Sequence, residues 1–181
     1  MKNEKHKNNK NKVDPKRLQL TLFIEENEAQ SIEIIRRKFN PLQYDLIKAH
    51  VTLCREDELE NIDAIMLNLE KLNKAHVNID FGDVVRFSEG NGVLIPALDD
   101  NESFQKLRAA ILEGIIEQPR KHAPHITLMH PRNSTCTDSI FEQIIKVELP
   151  KKLTFKKISV IEQELGKEWQ ILSVFELKKP H

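Results

Sequence analysis

Apolar and polar residues recur along this chain with two different periods, and the switches between them predict its elements. Leu18, Leu20, Leu22 and Ile24 alternate with Gln19, Thr21 and Glu25, the period of a strand with one buried face. Asn27 is placed to cap a helix carrying Ile32, Ile34, Ile35 and Phe39, and Asn40-Pro41 ends it because proline lacks the amide hydrogen that continuation requires. A strand over Ala49 to Cys54 follows. Leu59, Ile62, Met66, Leu69 and Leu72 then draw one apolar stripe along a helix. Strands are predicted near Val77 to Val85 and Val93 to Ala97, separated by Glu89-Gly90-Asn91-Gly92, where Asn-Gly suits a tight hairpin turn. Asn101 is placed to cap a helix bearing Phe104, Leu107, Ile111 and Ile115. A strand over His125 to His130 follows it, and Thr137 opens a helix with Ile140, Phe141, Ile144 and Ile145. Strands near Leu153 to Ile161 and Trp169 to Leu177, turning at Gly166, close the pattern.

The two halves of this pattern correspond. Asn27 precedes His50 by 23 positions and Asn101 precedes His125 by 24, while Gly92 and Gly166 follow the same histidines by 42 and 41. Strand, helix, strand, helix, strand is repeated with little residue identity, which predicts two similar lobes facing each other across a groove.

Each half carries a short motif at the matching place: His50-Val51-Thr52-Leu53 and His125-Ile126-Thr127-Leu128. In a strand, side chains alternate faces, so each histidine and the threonine two positions later point one way while Val51, Leu53, Ile126 and Leu128 point into a core. With seven histidines in the chain, composition predicts roughly 0.04 such matches by chance, so two are expected on the order of once per thousand such sequences. Two imidazoles and two hydroxyls converging on one groove suit phosphodiester chemistry. One neutral histidine can take a proton from the attacking oxygen, and the other, protonated, can give one to the departing ribose oxygen. The hydroxyls can donate to the non-bridging oxygens as phosphorus becomes five-coordinate.

The paired motifs, their separation and the repeated plan resemble the 2H phosphoesterase superfamily, which includes 2'-5' RNA ligase-like proteins and cyclic phosphodiesterases. The resemblance covers about residues 17 to 178. It implies an α+β, bilobal fold: two pseudo-symmetric lobes, each with an antiparallel-rich sheet and two helices, around a central groove. It further implies catalysis by His50 and His125 without a metal or other cofactor, and phosphate binding by Thr52 and Thr127. The implied substrates are an RNA end or a cyclic nucleotide carrying a 2',3'-cyclic phosphate or a 2'-5' linkage. Some relatives bind nucleotides without turnover, so a nucleotide- or RNA-binding module using the same groove stays open.

Other residues leave alternatives at this stage. Arg55 and His130, five positions after the two histidines, are candidate substrate contacts, and each is equally a solvated or loop residue. His122, His125 and His130 invite a metal reading, but no cysteine or carboxylate completes a usual zinc spacing. Cys54 shares a face with His50 if the strand persists, yet the separation is too long for direct contact. His76 is read as structural, and Tyr44 and Trp169 as core or rim packing rather than base-stacking platforms.

Composition adds the setting. The 181 residues are zero in net charge, but residues 1 to 17 hold seven Lys or Arg against Glu4 and Asp14, a balance of +5 offset by −5 in the rest. The Lys/Asn-rich, nearly apolar-free segment over residues 1–16 is expected to be a disordered basic tail, either a solvated extension or a loose phosphate contact for RNA. Residues 17–181 are expected to form one domain, its lobes built around the strands at 49–54 and 125–130. Two cysteines are too few for a disulfide framework, and no apolar run approaches the ~18 residues of a membrane span, so a cytoplasmic monomer is the expectation. The absence of a Gly-rich phosphate loop argues against ATP-driven ligation by this chain alone.

Overall fold

The computed structural model describes residues 16–179. The basic tail lies outside the described residues except for Lys16, which begins the first strand. The elements run β1 (Lys16–Phe23), α1 (Glu26–Phe39), α2 (Pro41–Leu46), β2 (His50–Cys54), a 3-10 turn (Glu56–Glu58), α3 (Ile62–Glu70), β3 (Val77–Asp80), β4 (Val85–Phe87) and β5 (Gly92–Pro96). They continue with α4 (Glu102–Leu112), β6 (His125–Met129), α5 (Asp138–Ile144), β7 (Lys152–Phe155), β8 (Lys157–Glu164) and β9 (Gln170–Glu176). Both predicted histidine strands, β2 and β6, are present, and the fold is the expected α+β class.

Seven strands form one antiparallel sheet in the order β4-β5-β6-β2-β1-β8-β9, and β3 pairs with β7 in a separate two-stranded sheet. The histidine strands are central, and each is flanked by the strand that precedes it in sequence, β5 beside β6 and β1 beside β2. The next strand outward comes from the other half of the chain: β8 borders β1, and β4 borders β5. The sheet therefore has two wings, β2-β1-β8-β9 and β6-β5-β4, which meet at the β2–β6 seam, and each takes strands from both halves of the chain. One cluster fills the core. It takes Leu20 and Leu22 from β1, Val51 and Leu53 from β2, Ile126 and Leu128 from β6, and the inward stripes of the helices, such as Ile32 and Ile35 of α1 and Phe104, Leu107 and Ile111 of α4. Each such side chain contributes about 1.5–3 kcal/mol by leaving water.

Several local expectations change. The predicted strand over Val77 to Val85 is two strands in different sheets, interrupted where the Gly82 amide turns to the Pro96 carbonyl. Likewise Leu153 to Ile161 is split at Lys156, where the chain passes from the small sheet to the large one. At both corners the alternation slips, Asp83 being exposed where a buried residue would continue Val77, Ile79 and Phe81, and Lys157 where one would continue Leu153 and Phe155, but the slip does not say that the chain changes sheet. α1 starts one residue before Asn27 with Glu25 as its cap and no side-chain capping bond, its first turn instead carrying Glu26 and Glu28 against the helix dipole. Asn101 does precede α4, but in a left-handed conformation, its amide bonded back to Leu98 and Asp99 carbonyls. Thr137 caps α5 as expected through Ile140 N. The β4–β5 turn is carried by left-handed Ser88, Glu89 and Gly90 rather than by Asn91-Gly92. Gly92 is required for another reason: a Cβ there would lie 2.4 Å from the ring of Phe87, its partner across the hairpin.

Candidate active site

The seam fixes the site. β2 and β6 pair antiparallel through Val51 and Ile126. One step to either side of that rung, His50 stands opposite Thr127 and Thr52 opposite His125. Opposite residues share a face, so the four side chains form a rectangle on one face while Val51 and Ile126, both fully buried, anchor the other. All four site residues are half-buried.

Each half prepares its histidine in the same way. The ring Nδ1 of His50 lies 2.8 Å from the Lys48 carbonyl, and that of His125 lies 3.0 Å from the Ala123 carbonyl, two residues back in both cases. A carbonyl only accepts, so each Nδ1 carries a proton and each Nε2 is the nitrogen left for chemistry. The lead-in segments are held in turn by the preceding helix. In α1, Glu33 accepts from Ala49 N at 2.5 Å, and Arg36, 1% exposed, donates to Ile47 O at 2.6 Å. In α4, Gln105 donates to His122 O at 2.5 Å, and Arg108, also 1% exposed, donates to Arg120 O at 3.2 Å. Two polar side chains three residues apart thus pin the approach to each histidine strand. Arg108 also crosses the seam, donating to Leu53 O and pairing with Glu58 at 2.6 Å.

An aromatic ring flanks each histidine: Phe23 meets His50 edge-on at 6.0 Å between centroids, and His122 lies 6.1 Å from His125 while stacking on Phe104. Burial, with further contributions from Arg36 and His125, outweighs the Lys48 carbonyl and lowers the His50 pKa to about 4. Burial, Arg108 and His125 lower His122 to about 4 as well. Both rings are therefore neutral at pH 7.

The outlying candidates separate. Because the strands run antiparallel, Arg55 lies at the His125 end, where its charge bears on His122, and its side chain is exposed. His130 lies beyond β6 at the His50 end. Its backbone amide donates to Asn40 Oδ1 at 2.7 Å, its Nδ1 accepts from the Arg132 amide at 3.1 Å, and burial together with Arg132 and Arg17 lowers its pKa. It does not join His122 and His125, and among the described residues no group of three or more His, Cys, Asp or Glu is placed to hold a metal ion. A bulge after Thr52 turns Cys54 into the core opposite Leu20, away from His50, and burial pushes its thiol up to about 12. Trp169 is packed at the rim on Arg17, 5.2 Å from ring centroid to guanidinium.

Three residues that the sequence pattern leaves as an ordinary strand surface belong here. Gln19, Thr21 and Phe23 alternate with the buried leucines of β1, a pattern that reads as its solvent face. Because β1 is interior to the sheet, they border β2: Phe23 stands opposite His50 and Thr21 opposite Thr52. Gln19 Nε2 donates to Thr52 Oγ1 at 3.1 Å. An open cavity of about 850 Å³ adjoins the site along Phe23 and Lys48 and reaches Tyr44, Ile171 and Val174.

Residues 24–167 match the sequence model of the 2'-5' RNA ligase superfamily. Among solved structures, the chain is similar to E. coli LigT in its apo form, at 15% identity over 91% of this chain and 98% of that one, with a TM-score of 0.67. E. coli LigT complexed with 3'-AMP is similar at 14% identity over 92% and 100%, TM-score 0.63. A crystal structure of a phosphoesterase is similar at 14% identity over 92% and 100%, TM-score 0.65. At these identities the likeness is one of fold. No curated protein matches the chain in sequence.

Proposed function

This chain belongs to the 2'-5' RNA ligase superfamily, and on that premise we propose that it is a metal-independent phosphoesterase opening 2',3'-cyclic phosphates or cleaving 2'-5' linkages of RNA or nucleotides. The observation that carries the reading is the rectangle of His50, Thr127, His125 and Thr52 about the Val51–Ile126 rung. It sets two imidazoles diagonally, each beside a hydroxyl, and an in-line displacement at phosphorus requires a base and an acid on opposite sides of the phosphate.

His50 is the base in hydrolysis. Held neutral by its burial, with Nδ1–H on Lys48 O, it presents an unprotonated Nε2 to water. Water attacks phosphorus as its proton passes to His50 Nε2, and the bond from phosphorus to one ribose oxygen breaks as His125 Nε2 delivers a proton to that oxygen. Thr52 and Thr127 donate to the two non-bridging oxygens, where charge accumulates in the transition state. The product is a nucleoside monophosphate or an RNA end bearing a phosphomonoester. His50 leaves the step protonated and His125 unprotonated, so the reverse reaction uses the same residues with roles exchanged. Arg55, exposed at the His125 end, would meet a flanking phosphate, and the cavity beside Phe23 would take the attached nucleoside. E. coli LigT has been solved with 3'-AMP, phosphate and ATP, and a nucleoside monophosphate is the class of product proposed here.

The test is turnover in EDTA of a panel of 2',3'-cyclic nucleotides, RNA with a cyclic-phosphate end and 2'-5' oligoadenylate by wild type, His50→Ala and His125→Ala. Turnover by wild type, lost in both variants with binding retained, supports the reading and names the substrate. Binding without turnover by wild type would replace it with the nucleotide-binding alternative.

A further inference from the structure

The two threonines of the site have different neighbours. Thr52 stands opposite Thr21 on β1, and Gln19 Nε2 reaches both hydroxyls, at 2.7 Å from Thr21 Oγ1 and 3.1 Å from Thr52 Oγ1. Thr127 stands opposite Leu94 on β5, which has no polar atom to offer. A threonine hydroxyl has one proton to give and two lone pairs to accept with, whereas an amide N–H can only donate. With Gln19 donating to Thr52 Oγ1, the Thr52 proton must point elsewhere, and on this face the open direction is toward His125 and the phosphate position. Thr21 is fully buried and its oxygen accepts the second amide hydrogen, so both hydrogens of the Gln19 amide go to threonine oxygens.

We infer that Gln19 is a positioning residue: by donating to Thr52 it turns the Thr52 hydroxyl into a dedicated donor for one non-bridging phosphate oxygen. The inference rests on the phosphoesterase reading and goes beyond the two motifs. One hydroxyl is oriented before substrate arrives, while Thr127 must orient when it binds. A donor fixed in advance stabilises the charge that develops at phosphorus without reorganisation, so its effect falls on kcat more than on KM.

A double-mutant cycle on a 2',3'-cyclic nucleotide tests this. Thr52→Val is expected to lower kcat by about 100-fold, the scale of losing one transition-state donor, and Gln19→Leu by about 10-fold with KM within about twofold. In the Thr52→Val background, Gln19→Leu should change kcat by less than about twofold, because there is no hydroxyl left to orient. Gln19→Glu replaces the donor with an acceptor that draws the Thr52 proton away from phosphate, so it should be at least as damaging as Gln19→Leu. Gln19→Met, which keeps the chain length, provides the second apolar variant, with circular dichroism and thermal melting reporting whether each variant is folded. Equal losses from Gln19→Leu with and without Thr52, an effect confined to KM, or unchanged kcat in both apolar variants would overturn the inference while leaving the phosphoesterase reading intact. Failure of wild type to turn over any cyclic phosphodiester would overturn both.

Discussion

Val51 and Ile126 are partners on the rung that joins β2 to β6, and each sits beneath its own strand's histidine and threonine. Their packing therefore sets the spacing of the site as well as the stability of the sheet. Ile126→Ala should cost about 2–5 kcal/mol, measured by urea unfolding. Ile79→Ala on β3, in the separate two-stranded sheet and also buried in the core, should cost a similar amount. Turnover should separate them, with kcat per folded molecule falling further in Ile126→Ala because only that change loosens the rung between the histidines.

The pH profile of turnover should report a depressed base. An unperturbed histidine loses its proton near pH 6.5, whereas His50 is lowered to about 4 by burial, with Arg36 and His125 adding to it. The acid limb of kcat/KM should therefore fall tenfold per unit only below about pH 4. A limb centred near pH 6.5 would assign the base elsewhere.

The grouping of the candidate site residues was legible in the sequence because strand periodicity fixes which residues share a face: knowing that His50 and Thr52 lie on a strand places both on one side of it. The support was not legible. Gln19 and Thr21 look like the wet side of a strand until the position of β1 within the sheet is known, and that position depends on β8, about 140 residues away in sequence. Arg36 and Arg108 look like ordinary charges on helix surfaces, since nothing in the local pattern says that loop carbonyls come to meet them. The corners at Gly82 and Lys156 are marked only by a slip in the alternation, at Asp83 and Lys157, which does not say that the pairing partner changes. Cys54 was misplaced by a one-residue bulge that periodicity cannot register.

Stability should depend on pH through the same half-buried ring and its counterpart beside His125. His50 and His122 are both lowered to about 4, so below about pH 6.5 the unfolded chain takes up protons that the folded chain refuses. Their contribution is fully present above pH 6.5 and is lost as pH falls toward 4. Urea unfolding between about pH 4.5 and 6.5 should give a slope approaching two protons bound on unfolding from these two rings. His122→Phe, which keeps a ring on Phe104, should reduce that slope by about one proton. An unchanged slope would show that His122 titrates normally in the folded protein.

Arg108 and Glu58 form a pair that is almost wholly inaccessible, with side chains 1% and 5% exposed. Burial alone would raise the Glu58 pKa, but the Arg108 hydrogen bond and the nearby cations bring it below the ordinary carboxylate range. Glu58→Gln leaves the guanidinium buried without its counter-charge and should cost about 3–5 kcal/mol. Replacing both partners with apolar residues, as Arg108→Met with Glu58→Leu, removes the unpaired charge and should recover most of that stability. Turnover should not recover with it. Arg108 also donates to Leu53 O at the end of β2 and to Arg120 O in the segment leading to His125, and methionine cannot replace those bonds. A double variant that is stable but slow would assign the pair to holding the two histidine strands in position. If it is both stable and fully active, the pair belongs to the core alone, and positioning of His125 falls to Gln105 and the Ala123 carbonyl.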